Sequence, residues 1–338
     1  MKSLLLSLLM LAFAWPSSAQ WNPVADVPVG AVYSVFASGD TILAGADSLV
    51  YISTNGGASF KKSAPVFPQK TPVTAARIHG GRIYAGTFGK GVFFSTNLGD
   101  TWNSFNQGLV GGAFNTQLFI SDLVIDNNKM VAATGGDGAW KRDLVAAGSW
   151  GHFGNVFAPD QAENLNSITV GGTRLLTCGG SNGMVFFRDP GDSEWTESFL
   201  NNVGLGPGHS GQTAIWTGSV WLVGEASGVF HSTQGQSPWT LTDIGIGALQ
   251  NVRFALHGTR VFAAFRITTG AIIEFSDDGV SWQFLDFIPG GFVLDLAIHG
   301  NDLYAAQTDG LWVRDISTVA TKPMTWGSVK SLYRKPIK

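Results

Sequence analysis

The sequence predicts an all-β protein, a seven-bladed β-propeller with four-stranded blades whose ring is closed by the mature N-terminal strand. Three observations predict it. A short apolar hairpin recurs seven times along the chain. A large side chain recurs on the strand after each hairpin, at Tyr51, Phe93, Trp140, Phe186, Phe230, Ile273 and Trp312, at intervals of 39 to 47 residues. The composition is rich in glycine (44 of 338) and poor in charge (13%), against roughly 7% and 25% in ordinary proteins, as short strands joined by tight turns require.

Each element of the repeat has a local cause. The first strands are apolar: Val32–Phe36, Val73–Ile78, Leu123–Ile125, Ile168–Val170, Ala214–Trp216, Val252–Leu256 and Val293–Ile298. A turn follows, such as Ser38-Gly39-Asp40, His79-Gly80-Gly81, Asn127-Asn128, Gly171-Gly172 or His299-Gly300-Asn301. Gly and Asn supply the positive φ that two-residue hairpins need. The second strands read Thr41–Gly45, Arg82–Gly86, Lys129–Ala133, Arg174–Cys178, Val220–Gly224, Arg260–Ala264 and Asp302–Ala306. A period near 45 residues with about four short strands per copy is the pattern of a propeller.

A ring must close, because an open sheet edge is a liability. Trp21, Pro28 and Gly39 precede their first hairpin with the spacing of Trp282, Pro289 and Gly300 in the last copies. Trp282 begins a fourth strand, so Trp21 is expected to begin the outer strand of the last blade, beside Leu311–Asp315. The competing candidate for that strand is Thr325-Trp326-Gly327 near the C-terminus.

The ends differ from the repeats. Residues 1–19 read as an export signal: Lys2, an apolar run from Leu4 to Ala14, and small residues at Ser17-Ser18-Ala19. The run is short for a bilayer span, so a secreted, periplasmic or envelope location without a membrane-spanning segment is expected. Residues 20–319 form the propeller. Residues 320–338 form a basic tail, with Lys322, Lys330, Arg334, Lys335 and Lys338 and no acid, read either as a sorting segment or as a frayed end. A formal charge of −3 disfavours a nucleic-acid partner. The single Cys178 permits no internal disulfide, and a monomer is expected.

The turns between third and fourth strands carry a motif. Ser53, Asn55, Gly57 and Phe60 occupy matching places to Ser95, Asn97, Gly99 and Trp102, and Asp277, Gly279 and Trp282 follow the same order. A short Asp or Asn side chain accepts N–H bonds from its own turn, Gly takes the strained backbone position, and the terminal aromatic packs into the blade. The motif resembles the Asp-box, S-x-D-x-G-x-T-W, of BNR-repeat propellers. That superfamily includes sialidases, sortilin/Vps10 domains, photosystem II assembly-factor-like propellers and xyloglucanase-type hydrolases. The resemblance covers nearly the whole mature chain. It implies a structural role for the box residues and does not select an activity.

In a propeller the loops between second and third strands share a face with the loops joining blades, around the channel mouth. The first set offers one polar residue per copy: Asp47, Lys90, Asp137, Asn182, Glu225, Arg266 and Asp309. They form a candidate ligand-binding ring, or else the ordinary polarity of hairpin tips. The interblade loops carry Phe67, Phe114, Phe119, Phe157, Leu205 and Phe287, read as interblade packing or as a surface for sugars or peptides.

No complete catalytic set is visible. Resemblance to sialidases implies an Arg triad, a Tyr nucleophile and acidic partners. Yet Tyr33, Tyr51, Tyr84 and Tyr304 belong to repeated strands, and Tyr333 lies in the tail. Phe265-Arg266-Ile267-Thr268 mimics the F-R-I-P signature in the wrong copy and without the Pro. A two-carboxylate glycosidase needs an acid and a base a few ångströms apart; Asp137 with Glu225 or Asp309 is conceivable, but no spacing selects them. Gly208-His209-Ser210-Gly211-Gln212 lacks the second Gly of a nucleophile elbow. Gly86-Thr87-Phe88-Gly89-Lys90 is too short for a phosphate loop. His79, His257 and His299 occupy equivalent, widely separated turns, so neither a metal nor a cofactor is expected. The leading expectation is a non-catalytic scaffold binding a protein, peptide or glycan at the channel mouth. The alternative is a glycoside hydrolase with its site at the same mouth.

Overall fold

The structure, a computed structural model, describes residues 20–110, 113–145, 148–154, 163–180, 184–200, 210–242, 250–268, 270–317 and 319. The export-signal segment, Asn182, Phe157, Leu205, the basic tail and the alternative closing segment Thr325-Trp326-Gly327 lie outside these residues. The described chain is antiparallel β with one short 3₁₀ segment, Ala113–Leu118. No described helix is long and apolar enough to cross a membrane.

Each repeat runs first strand, second, third, fourth as neighbours in one sheet. In the first copy these are Val32–Ser38, Thr41–Ala46, Val50–Ser53 and Lys61–Lys62. Five sheets have four strands, and one has eight. The eight-stranded sheet joins the third and fourth copies, where the long second strand Lys129–Gly136 pairs through Gly135 and Gly136 with Asn164 and Glu163 of the next first strand. Separate sheets were the sequence expectation. The difference arises because both strands overrun the usual length and meet near the channel. At the N-terminus, Asn22 and Pro23 pair with Val313 and Trp312 on the third strand of the last copy.

The core lies between the repeats. The described residues form seven apolar clusters, each built from two adjacent copies, with one of them joining Val35 and Ala44 to Ala297 and Tyr304. This explains why the second strands are continuously apolar. Side chains alternate between the two faces of a strand, and both faces are covered: Ile42 and Ala44 pack toward the last copy, Leu43 toward the second. Near the channel the repeats converge and only small residues fit. A Cβ on Gly45 would lie 2.5 Å from the Val73 carbonyl oxygen, and one on Gly86 would lie 2.6 Å from Ile120 Cγ2.

The third-to-fourth turns behave as their motif predicts in two copies. Asn55 Oδ1 accepts the Ser53 hydroxyl and the Ser59 N–H, and Asn97 Oδ1 accepts the Ser95 hydroxyl and the Thr101 N–H. Gly57 has φ +90°, and its turn presses on the last copy so closely that a Cβ there would sit 2.0 Å from the Tyr304 hydroxyl. Phe60 is buried, and Trp102 donates its ring N–H to the Ala64 carbonyl. In the sixth copy the acid with this role is Asp278, not Asp277. Asp278 accepts Ser276, Val280 and Ser281, whereas Asp277 pairs with Arg260. The turn is one residue shorter there, so Ser276 rather than Phe275 opens it, and Gly279 N–H returns to the Ser276 hydroxyl.

Candidate functional site

Except in the fourth repeat, where Glu163 and Asn164 pair with the preceding second strand, the first strand of each repeat has one edge without a strand partner, and an exposed edge presents unpaired N–H and C=O groups. Side chains from the preceding repeat cover those groups. The Ser34 hydroxyl donates to the Val73 carbonyl (3.0 Å), Thr74 to Ile120 (2.5 Å), and Ser121 to Leu165. The Asn166 amide donates to the Gly211 carbonyl (2.8 Å). Gln212 Oε1 accepts the Val252 N–H (2.7 Å), and Arg253 Nε donates to the Leu294 carbonyl (2.6 Å). Asp295 Oδ2 then accepts the Val35 N–H (2.9 Å). Each bond crosses to the next copy, and the last returns to the first.

All of these residues but Gln212 sit at or beside β-bulges that recur near the start of the first strands, with register shifts at Val32/Ser34, Val73/Ala75, Ile120/Asp122, Leu165/Ser167, Gln250/Val252 and Val293/Asp295. A bulge re-aims side chains locally. Here the re-aimed side chains line a central cavity of about 1030 Å³.

The cavity holds two acids and two bases. Arg77 donates to Asp122 Oδ1 (2.8 Å), whose other oxygen accepts the Ile168 N–H (3.0 Å). Asp295 accepts the N–H groups of Val35 and Leu296. Burial pushes the Asp295 carboxyl up to about 6, even though the Val35 N–H, Arg77 and Arg253 pull the other way. Burial also pushes Arg253 down, and Asp295 opposes that shift. Sequence reasoning passed over these four because it sought function in the loops. The signal was present as charged residues within otherwise apolar first strands.

The loop residues predicted to ring the mouth are engaged locally. Asp47 accepts the Tyr33 hydroxyl (3.0 Å) and pairs with Lys70 (2.7 Å). Asp137 accepts the Trp140 ring N–H (3.1 Å), and Asp309 accepts the Gly291 N–H (3.0 Å). Glu225 is fully buried and accepts Ser227 N–H (2.7 Å). Lys90 lies over the Phe67 ring at 5.0 Å, and Arg266 over Phe292 at 3.3 Å. Phe119 packs edge-on against Phe88 at 4.8 Å, and Phe88 is 54% exposed at the cavity. The side chain of Phe114 lies outside the described residues. Phe287 is half-buried.

No known protein family matches the sequence, and no curated protein resembles it. Solved structures do. YCF48 bound to D1 peptide superposes with a TM-score of 0.66 at 11% identity, over 90% of this chain and 97% of that one. The extracellular domain of BT3049, a putative hybrid two-component system of B. thetaiotaomicron, gives 0.66 at 13%, over 87% of this chain and 40% of that one. PorZ, a bacterial surface component of the type-IX secretion system of Porphyromonas gingivalis, gives 0.59 at 17%, over 90% and 39%. These neighbours share the fold: all-β, with four-stranded antiparallel propeller blades.

Proposed function

We propose that the chain is an exported, non-catalytic propeller that binds a peptide or protein segment at its channel mouth. On this reading residues 1–19 direct export and residues 320–338 are a basic appendage. The seven repeats form seven blades, closed by the strand at Asn22–Pro23, and the protein works as a monomer at the envelope or outside the cell. The observation that carries the reading is the state of the cavity acids. Asp122 is occupied by the Arg77 guanidinium and the Ile168 N–H, and Asp295 by the Val35 and Leu296 N–H groups, so their role is holding repeats together rather than working on a substrate. A neighbour of the same fold is described as bound to a peptide.

A second reading keeps the glycoside hydrolase. One observation favours it: a cavity carboxyl held near neutral pH, as Asp295 is, is what a general acid requires. The test is direct. The purified protein is assayed for hydrolysis of sialosides and aryl glycosides at pH 5 to 7, and for retention of a random peptide library. Peptide retention without turnover supports binding. Turnover abolished by Asp295→Asn, Asp137→Asn or Glu225→Gln overturns it.

A further inference from the structure

Two carboxamides in the cavity wall are turned in opposite senses. The Asn166 amide donates to the Gly211 carbonyl (2.8 Å) and the Ser210 hydroxyl (3.0 Å). A carbonyl only accepts, so this bond fixes the side chain and leaves Asn166 Oδ1 unused. In the next repeat, Gln212 Oε1 accepts the Val252 N–H (2.7 Å). An N–H only donates, so the unused atom there is Gln212 Nε2. Neither Oδ1 nor Nε2 has a hydrogen-bond partner among the described residues. The two carboxamides are neighbours, since Asn166 is bonded to the residue immediately before Gln212.

Both residues line the cavity, and Asn166 is the extra residue of the bulge between Leu165 and Ser167. The Gln212 backbone is tied to the Gly224 carbonyl (2.9 Å). A donor and an acceptor held this way lose little freedom on binding. The charged side chains lining the cavity are two Arg and two Asp, so the lining is neutral as a whole. Arg77 pairs with Asp122, Asp295 accepts the Val35 and Leu296 N–H groups, and Arg253 donates to the Leu294 and Val252 carbonyls. A charged ligand group would bring an unmatched charge out of water. Phe88 offers apolar surface on the same cavity: its ring is 54% exposed, and its N–H donates to the Pro72 carbonyl (3.0 Å).

We propose that the cavity takes an extended, uncharged peptide segment. The N–H of one of its residues donates to Asn166 Oδ1, the C=O of the same residue accepts from Gln212 Nε2, and an apolar side chain lies against Phe88. The proposal rests on the peptide-binding reading above. In an extended chain the N–H and C=O of one residue point to the same side, and the two carboxamides offer one acceptor and one donor to match. A sugar hydroxyl both donates and accepts and gains nothing from that fixed order, so the pair favours a peptide over a glycan.

The test is selection of a fully random heptapeptide display library on the full chain, followed by fluorescence anisotropy of the enriched peptides. The expected result is enrichment of uncharged sequences that share an apolar residue. Replacing each backbone amide of an enriched peptide by an ester removes one N–H at a time. Binding should weaken at least tenfold at one position, and Asn166→Ala should abolish that dependence. Gln212→Glu keeps the acceptor for the Val252 N–H but turns the free donor into an acceptor, and affinity should fall at least tenfold. Phe88→Ser should weaken binding with unchanged melting temperature. The ester scan uses the unaltered chain, so it decides the matter even if Gln212→Glu fails to fold. Charged enriched peptides, a flat ester scan, or a folded Gln212→Glu with undiminished affinity overturn this inference and leave the peptide-binding reading standing. No enriched peptide overturns both.

Discussion

Asp295 and Val35 stand 260 positions apart, yet the carboxylate of one accepts the backbone N–H of the other at 2.9 Å. That bond ties the last repeat to the first. It belongs to the same set as the bond from Ser34 to Val73 and the one from Arg253 to Leu294, in which a side chain caps the bare edge of the next inner strand. Asp295→Ala leaves the Val35 N–H unsatisfied in a buried place, at a cost of about 1–3 kcal/mol. Asp295→Asn keeps an acceptor oxygen and should cost less. Urea denaturation of the two variants checks the order; equal losses would remove the bond from the account.

The same carboxyl sets a pH dependence. Its folded value is raised to about 6 from an ordinary 3.8, so between those values the folded state holds more protons than the unfolded one. Stability from this group is therefore complete below about pH 4 and is lost as pH rises through 6. Glu274, pushed to about 7 by burial, acts in the same direction. His231, pushed down by burial, acts in the opposite one. The difference between wild type and Asp295→Asn isolates the first. Its urea midpoint advantage should shrink steadily from pH 4 to pH 7, and a flat difference would count against the burial of the acid.

Gly57 is required twice, by its φ of +90° and by the Tyr304 hydroxyl 2.0 Å from where a Cβ would stand. Gly57→Ala should destabilise by roughly 2 kcal/mol or more, combining backbone strain with overpacking. Gly39→Ala, at φ +52° with nothing within 4 Å, bears only the strain and should cost about 1 kcal/mol. Thermal melts of both, with Gly57→Ala/Tyr304→Phe as a partial rescue, separate the two terms.

In the sixth repeat, Asp278 and Asp277 should part company. Burial would raise the Asp278 carboxyl, but donors from Ser281, Val280 and Ser276 outweigh it and hold it at about 2. Its replacement by Ala strips those donors, at about 1–3 kcal/mol. Asp277 pairs with Arg260 at the surface, and Asp277→Ala should cost about 1 kcal/mol at most. Chemical denaturation at pH 7 gives the comparison.

Much of the repeat was legible because its causes are local. Turn glycines, alternating apolar strands and Asn-capped turns each act within a few residues, so their pattern survives in the sequence. The placing of Asp277 failed for a local reason too: a turn shortened by one residue shifts the hydrogen-bond acceptor by one, and the aligned motif conceals it. The mouth was legible only in part. Glu225 reads as a polar tip but is buried, and Phe88, read within a failed phosphate-loop string, is the exposed ring at the cavity.

By itself, the sequence determined the repeated antiparallel unit, the order of its strands and the small residues where the repeats converge, since these follow from side-chain period and backbone torsion. Tertiary structure alone decided which charged side chains meet. Arg77 reaches Asp122 and Asp295 reaches Val35 because adjacent repeats present bare strand edges to one another, and no spacing within one repeat encodes what the next will offer.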